Sequence, residues 1–532
     1  MLPCFECNYQ KEVTIVKTTG NRRWWALGAV SLAVLAVGLD GTVLSVALPT
    51  LSKALHATES DLQWFTSIYL LVLAASMLPA GLLGDRYGHK KVLLISLGFF
   101  GLGSAASGYS TSVGEFMAAR VLMGMAGAGV IVMAIAALTV LFSKAERPKA
   151  VGVWSAANFL SLPLGPILGG WLLTHYWWGW VFLINVPVAV IGLIAGATLI
   201  PESRLVRRPR VDLLGVLTSA AGLVALMYGL IEAGQHGWNN VSALVFIATG
   251  LVVLVGFFAL ERRLTRESAG EPLLDLTLFE SKSFTWGVIL AAFVVLAMFG
   301  ALFTMPQYFQ GVLGTNPIGS GLRLLSLVGG LVVGALPTAR LVQWVGAKVA
   351  TAAGFVLMAA GLFIGSATSA SSSGIFLLSW MAVFGLGVGI AVTSSASAAL
   401  VELKEERSGV GSAVLQAVNK TGAPLGTAIL GSVLSAGYLA HLDLRGLSAT
   451  AASLVRQSVF GGVAVAQELH SRALLVSVRA AFVSGMDRAL LVSGAIALLG
   501  ALLAALFLPK TNSSPQLRQT GNKEEGKTIG TK

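Results

Sequence analysis

Four ionisable side chains stand inside long apolar runs of this sequence: Asp40 in "VLAVGLDGTVLSVALP" (34–49), Arg120 in "RVLMGMAGA" (120–128), Arg323 and Lys420. A charge near the middle of a lipid-buried helix costs about 2.5 to 3.5 kcal/mol on insertion scales, so each needs a partner or a task. Asp40 lies about 24 Å along a helix entering from one membrane face, and Arg120 about 9 Å along one entering from the other; in a core roughly 30 Å thick these are similar depths. Gly124, Gly127 and Ala128 share a helical face with Arg120, and Ala36, Val37, Leu44 and Ala47 share one with Asp40, so the two helices can approach closely. Two chemistries fit. Asp40 is a proton-binding carboxylate whose affinity Arg120 sets, directly or through water, or the two are a fixed ion pair tying their helices together.

The elements that must hold these charges follow from composition. The chain has 532 residues, 55% hydrophobic and 11% charged, against about 25% charged in soluble domains, so it is a membrane protein. A helix needs about 20 apolar residues to cross the bilayer core, and such runs fall at 24–47, 62–83, 92–109, 114–140, 149–173, 178–200, 212–232, 241–260, 284–305, 317–340, 349–368, 374–400, 409–435 and 486–509. The first is a span and not a signal peptide, being too long and without a small-residue cleavage site. The fold expected is all-α and polytopic: two six-helix bundles plus an inserted two-helix hairpin, 14 transmembrane helices in all.

The organisation expected is a tail at 1–23, a bundle at 24–200, linkers with two additional helices at 201–283, and a second bundle at 284–509. An extracytoplasmic segment of one or two short surface helices, a lid over the exit, falls at about 437–485, and a disordered tail at 510–532. With the N-terminus inside, 27 of the 36 Lys and Arg fall in cytoplasmic segments, 6 outside and 3 within spans. Both termini are therefore expected in the cytoplasm of a bacterial inner membrane. The net charge of +12 belongs to loops facing anionic headgroups and gives no reason to invoke nucleic acid.

Other chemistries are excluded by what the sequence lacks. No G-x-x-x-x-G-K-[ST] loop occurs, so ATP is not the expected energy source. No paired carboxylates, histidine cluster or nucleophile arrangement lies within the spans, so an enzyme is not expected. The two cysteines, Cys4 and Cys7, form one C-x-x-C with no second pair, and no metal site is expected. No cofactor and no obligate protein partner is evident; the partners expected are small lipophilic substrates, protons and the lipid bilayer.

Two further stretches bear on movement. In "GLLGDRYGHKK", joining spans 2 and 3, Gly81, Gly84 and Gly88 permit close packing. Asp85 is placed to cap a helix N-terminus, and Arg86, Lys90 and Lys91 to bridge to a neighbouring helix. Such a latch must break when the inside opens. After span 10, "ARLVQWVGAKV" is a faint echo of this loop without its acid. In span 5, Ser161, Gly165 and Gly169 recur every fourth residue beside Gly170, while Pro163 and Pro166 bend the helix, making it a hinge or seal between halves.

"GLLGDRYGHKK" resembles the signature loop of the major facilitator superfamily. "LDGTVLSVALP" (39–49), "RVLMGMAGA" (120–128), "LPLGPILGG" (162–170), "WWGWVFLINVP" (177–187), "PLLDLTLFESKSF" (272–284) and "GSAVLQAVNKTGAPLG" (411–426) resemble its fourteen-span drug/proton antiporter family, over about residues 24 to 509. The resemblance implies proton-driven efflux by alternating access, with Asp40 and Arg120 at the family's acid and arginine positions. It also implies an antiporter motif at Ser161, Gly165, Pro166, Gly169 and Gly170, although Ser161 stands where that pattern usually has glycine.

The family's pumps for divalent cationic dyes carry extra membrane acids, whereas Ser67, Leu415, Gln416 and Lys420 occupy plausible counterparts here. A neutral, zwitterionic, singly charged or anionic lipophilic substrate fits this field better than a dication. Candidate cavity residues are Tyr69, Asn158, Tyr308, Gln310, Gln416 and Lys420; Arg323 either faces the cavity or snorkels outward. The reading is a proton-coupled exporter of antiseptics, dyes or antibiotics. Its rivals are a dedicated exporter of an endogenous metabolite and a non-transporting receptor on the same fold.

Overall fold

A chain crossing hydrocarbon must satisfy its backbone polar groups internally, and the computed structural model does so with helix. It describes residues 22–142, 146–202, 213–267, 276–401 and 405–509. The N-terminal half contains α1 (Arg22–Ala54), α2 (Glu59–Tyr87), α3 (His89–Tyr109), α4 (Val113–Leu141), α5 (Arg147–His175) and a sixth segment broken into α6 (Trp180–Leu183) and α7 (Asn185–Leu199). The hairpin α8 (Leu213–His236) and α9 (Val241–Glu267) follows. The C-terminal half contains α10 (Lys282–Gln307), a π-turn at Tyr308–Val312, α11 (Pro317–Gly365), α12 (Gly374–Val401), α13 (Glu405–His441), α14 (Ala449–Gln457), α15 (Val459–Glu468) and α16 (Arg472–Phe507). No strand occurs among the described residues.

The helix starts are chemically marked. Thr58 and Asp61 form a reciprocal capping box at α2, and Ser112, Ser281, Asn316, Ser448, Ser458 and Ser471 accept from the backbone at the starts of α4, α10, α11, α14, α15 and α16. At 49 residues α11 would be about 73 Å long if straight, more than twice the bilayer core. It breaks at Gly346, where φ is 82°, a conformation only glycine adopts without strain. Gly88, between α2 and α3, has φ 105°. The two glycines occupy the same place in "DRYGHKK" and "QWVGAKV", so the faint sequence echo is a repeated turn.

Eleven described helices are long and apolar enough to cross a membrane, or twelve if the bent α2 counts as one span. The expected fourteen is reached only by dividing α11 at Gly346 and adding α5, which lies outside that set. The segment expected at about 437–485 contains two short helices, α14 and α15, between the end of α13 at His441 and the start of α16 at Arg472. Its pinning is clear: Tyr438 Oη donates to the carbonyls of Val455 (2.7 Å) and Ser458 (3.3 Å). Cys4, Cys7, both tails and most of the first linker lie outside the described residues.

Within the first half α1 packs on α5 and α7, and α4 on α2 and α3; within the second, α11 packs on α12 and α16, and α10 on α12 and α13. The halves meet through α2 with α13, α5 with α11, and α1 with α10. Helix α9 packs on α8, and α8 packs on both α2 and α13, one helix from each half. Only 17% of the most apolar window of α9 is buried, against 67% for α4 and α10, so the hairpin is peripheral.

Candidate functional site

Asp40 and Arg120 meet. Arg120 Nη1 donates to Asp40 Oδ2 at 2.5 Å, and neither side chain has any solvent-accessible surface. The small face of α4 makes this possible: a Cβ on Gly127 would meet Val37 and the Tyr69 hydroxyl, and one on Gly124 the Tyr69 carbonyl, so α4 nests against α1 and α2 together. The guanidinium carbon lies 4.2 Å from the centroid of the Tyr69 ring and 5.9 Å from that of Phe182, stacked where a cation is favoured. Tyr69 Oη in turn donates to the carbonyl of Val37, 3.0 Å away and one turn before Asp40. Asp40 Oδ1 and Arg120 Nε and Nη2 have no partner among the described residues, so the pair holds one hydrogen bond where a fork could make two.

Two cavities flank this pair. An apolar crevice of about 200 Å³, between α1, α5 and the α6–α7 segment, has Asp40 in its wall with Leu39, Leu168 and Asn185. On the opposite side Tyr69 is part of the wall of a central cavity of about 470 Å³ between the two halves. Tyr69 is thus the side chain between the cavity and the buried pair. The central cavity also takes Trp154 and Asn158 from α5, Met298 and Phe299 from α10, Thr393 and Ser397 from α12, and Gln416, Asn419 and Lys420 from α13.

Of the six cavity residues expected from sequence, the structure brings Tyr69, Asn158, Gln416 and Lys420 together and excludes two. Tyr308 and Gln310 sit in the π-turn that follows α10, away from the cavity wall and at the end where the halves are closed. Tyr308 is buried and donates to the Ser369 carbonyl (2.7 Å), while Gln310 Nε2 donates across the halves to the Val46 carbonyl (3.0 Å). Arg323 is not in the cavity wall; its Nη1 donates to the Gly319 carbonyl of its own helix (3.0 Å).

The antiporter-motif face of α5 is doubly engaged. Thr42 Oγ1 donates to the Ser161 carbonyl at 3.0 Å, and a Cβ on Gly165 or Gly169 would strike Thr42 or Val43 of α1. One on Gly170 would strike Pro317 and Ile318 of α11, and Gly321 of α11 packs on the Pro166 carbonyl. Helix α5 therefore wedges between the halves. Gln307 Nε2 donates to Glu59 Oε1 at 3.2 Å, and Gly431 packs on Gln63, closing α2 against α10 and α13. Every one of these contacts lies toward the end carrying the tryptophans of 177–180. Toward the other end, with Arg23, Arg86 and Lys90, the central cavity separates the halves.

Among the described residues, the loop between α2 and α3 makes its polar contacts within its own half. Asp85 does not cap a helix; its Oδ1 pairs with His89 Nε2 at 3.0 Å, and the α3 N-cap, Gly88, has no side-chain cap. Lys90 Nζ donates to the Ala197 carbonyl (2.6 Å) at the end of α7, within the same half. Gly81 and Gly84 face Val132 and Met133 of α4 as small contact residues. Arg86 lies over the Tyr87 ring, and Lys91 borders a groove on the α2–α4 face.

Two residues that sequence reasoning missed are placed at key points. Trp154 is 93% buried, its Nε1 has no partner, and it lines the cavity. Glu59 falls just before the apolar run of span 2 and reads as a loop residue, yet it is buried at the seam between halves. Asn419 had a signal: Gln416, Asn419 and Lys420 are spaced i, i+3, i+4 and share one helical face.

Two helical halves closed at one end around a cavity, with a charge pair buried beside it, define a polytopic membrane transporter. A family model described as Major Facilitator Superfamily matches residues 30–427. The chain belongs to that superfamily. It is 34% identical over 502 residues to a tetracenomycin C resistance and export protein of Streptomyces glaucescens, covering 92% of each chain. It is 32% identical over 499 residues to the multidrug efflux pump LfrA of Mycolicibacterium smegmatis, covering 91% of this chain and 96% of the other. Among solved structures, a bacterial homologue of the human lysosomal transporter Spinster, inward-facing and unoccupied, superposes with a TM-score of 0.66 at 15% identity. That superposition covers 92% of this chain and 98% of the other, and it establishes the fold.

Proposed function

We propose that the protein exports lipophilic small molecules across a bacterial inner membrane in exchange for protons, by alternating access, with its basic face in the cytoplasm. The proton gradient is its energy source and it needs no cofactor. The observation that carries the reading is the Asp40–Arg120 pair, buried in full and separated from the central cavity by one side chain, Tyr69. Protonation of Asp40 cancels its attraction for Arg120, whose two unpaired nitrogens then seek other acceptors, and the Tyr69 ring stacked on the guanidinium shifts with it. Substrate pressing on Tyr69 from the cavity acts on the same pair in reverse. Binding and protonation thus compete through one shared set of side chains, as exchange requires.

The contacts among α5, α11, α2, α10 and α13 support an inward-facing state, in which the cavity takes up substrate from the cytoplasm or inner leaflet. In this state the Asp85 loop is the released half of a latch that re-forms when the inside closes. The test uses everted vesicles with an imposed proton gradient. Asp40→Asn abolishes gradient-driven efflux while leaving the protein inserted; efflux at the normal rate in that variant would sink proton coupling through Asp40. A second reading, dedicated export of one endogenous metabolite, is favoured by the 34% identical relative, whose description names a single compound. A narrow substrate profile in the same vesicles would select it.

A further inference from the structure

Lys420 lies in the wall of the central cavity with no ion pair or hydrogen bond among the described residues. No carboxylate is among the described residues lining that cavity, and among them Lys420 is the one ionisable side chain besides the Tyr69 phenol. The polar groups around it hold both donors and an acceptor without partners among the described residues, and Asn419 Oδ1 is the buried acceptor. Trp154 Nε1 is a buried donor with no partner, and Asn158, Gln416 and Asn419 add amide N–H groups that can turn toward a ligand. The remaining wall combines the hydroxyls of Thr42, Ser161, Thr393 and Ser397 with an apolar part made by the rings of Tyr69, Trp154 and Phe299 and by Met298, Val295 and Leu415.

A half-buried ammonium facing the cavity without a counter-ion is under-compensated, and a buried indole N–H without an acceptor is costly. Nothing in the described wall relieves either. A cation would add to the first cost, and a neutral apolar compound would leave both in place. A ligand that brings a carboxylate or phenolate removes both at once, while its ring system covers the aromatic wall. We propose that the cavity selects planar aromatic monoanions, with Lys420 as the counter-ion and Trp154 Nε1 as an accessory donor. The volume of about 470 Å³ lies in the range of pockets that enclose drug-sized ligands. This deepens the efflux reading and rests on it for direction of transport, but the selectivity itself is a property of binding.

The test is therefore made without a gradient. Full-length protein in nanodiscs at pH 7.5 is titrated with anthraquinone-2-carboxylate, its methyl ester, and an anthraquinone bearing a trimethylammonium group, following quenching of tryptophan fluorescence. The acid is expected to bind at least about tenfold more tightly than the ester, and the cation more weakly than either. Lys420→Arg keeps the advantage of the acid, Lys420→Gln abolishes it with the affinity for the ester unchanged, and Lys420→Glu transfers the preference to the cation. Trp154→Phe weakens the acid more than the ester.

Equal binding of acid and ester to the parent protein, no binding of the acid, or an undiminished advantage of the acid in Lys420→Gln would each overturn the proposal. The two arginine and glutamine variants also guard against misfolding, since both must bind the ester as the parent does. Loss of proton-driven transport with this selectivity intact would sink the exchange reading alone.

Discussion

The buried pair has an incomplete hydrogen-bond set, and this shapes what substitution does to it. Removing Arg120 alone leaves a carboxylate in the bundle interior with neither its counter-charge nor the ring-stacked cation beside it. Breaking a buried pair from one side costs about 3–5 kcal/mol, whereas replacing both partners by neutral groups of similar shape is far milder. Arg120→Ala is accordingly expected to lower the thermal unfolding temperature in detergent more than Asp40→Asn/Arg120→Gln does. The reverse order would mean that the pair is screened by groups outside the described residues. Arg120→Lys keeps the charge but not the planar fork or its stacking on Tyr69, so it should fold yet transport poorly.

Individual charges were the most legible part of the sequence. Asp40 and Arg120 stand out because hydrophobic runs make any charge conspicuous, and a rise of about 1.5 Å per residue suffices to compare their depths. Glu59 and Trp154 were not legible for opposite reasons. Glu59 lies among polar neighbours at a helix start, and only the packing of α10 against α2 buries it. Trp154 is apolar in an apolar run, and its unpaired N–H is visible only once its surroundings are known.

Among elements, α5 is the one whose sequence and packing agree most closely. Its small face is read from spacing, but that Gly165 and Gly169 touch α1 while their neighbours Pro166 and Gly170 touch α11 requires the assembled halves. Tyr308 and Gln310 are polar residues at the outer end of a span, and only their contacts with Ser369 and Val46 place them in the closed seam and not in the cavity. The seam between α2 and α13 offers a direct measurement. With Cys4 and Cys7 replaced by serine, Gln63→Cys/Gly431→Cys should form a disulfide readily, because a Cβ on Gly431 would touch the Gln63 side chain. The cross-link should arrest transport and be reversed by reductant. Efficient transport in the cross-linked protein would mean that this seam does not open during the cycle.

At the level of the whole molecule, the hairpin of α8 and α9 straddles the seam, since α8 packs on α2 from one half and α13 from the other. Gly234 of α8 lies against Ser432 of α13 with no room for a Cβ. If the halves rock, one of these contacts must slide. Gly234→Leu is therefore expected to slow transport several-fold while substrate binding in nanodiscs stays near that of the parent. Equal losses in both would point to misfolding. That the chain is all-helical and crosses the membrane many times was plain from hydropathy, but the break in α11 at Gly346 and the early start of α16 depend on a backbone conformation and on packing.

A lone positive charge in the cavity also bears on energetics. An exchanger that sends out a monoanion for each proton admitted moves two elementary charges in the same electrical sense. Each is worth about 2.3 kcal/mol per 100 mV, so a cell held negative inside would supply about 4.6 kcal/mol per 100 mV to the export of one molecule. An exporter of monocations with the same stoichiometry moves no net charge and draws on the pH difference alone. If Lys420 selects a monoanion and one proton is exchanged for it, as proposed, this chain would draw on voltage as well as on the pH difference and would keep exporting where the pH difference has collapsed.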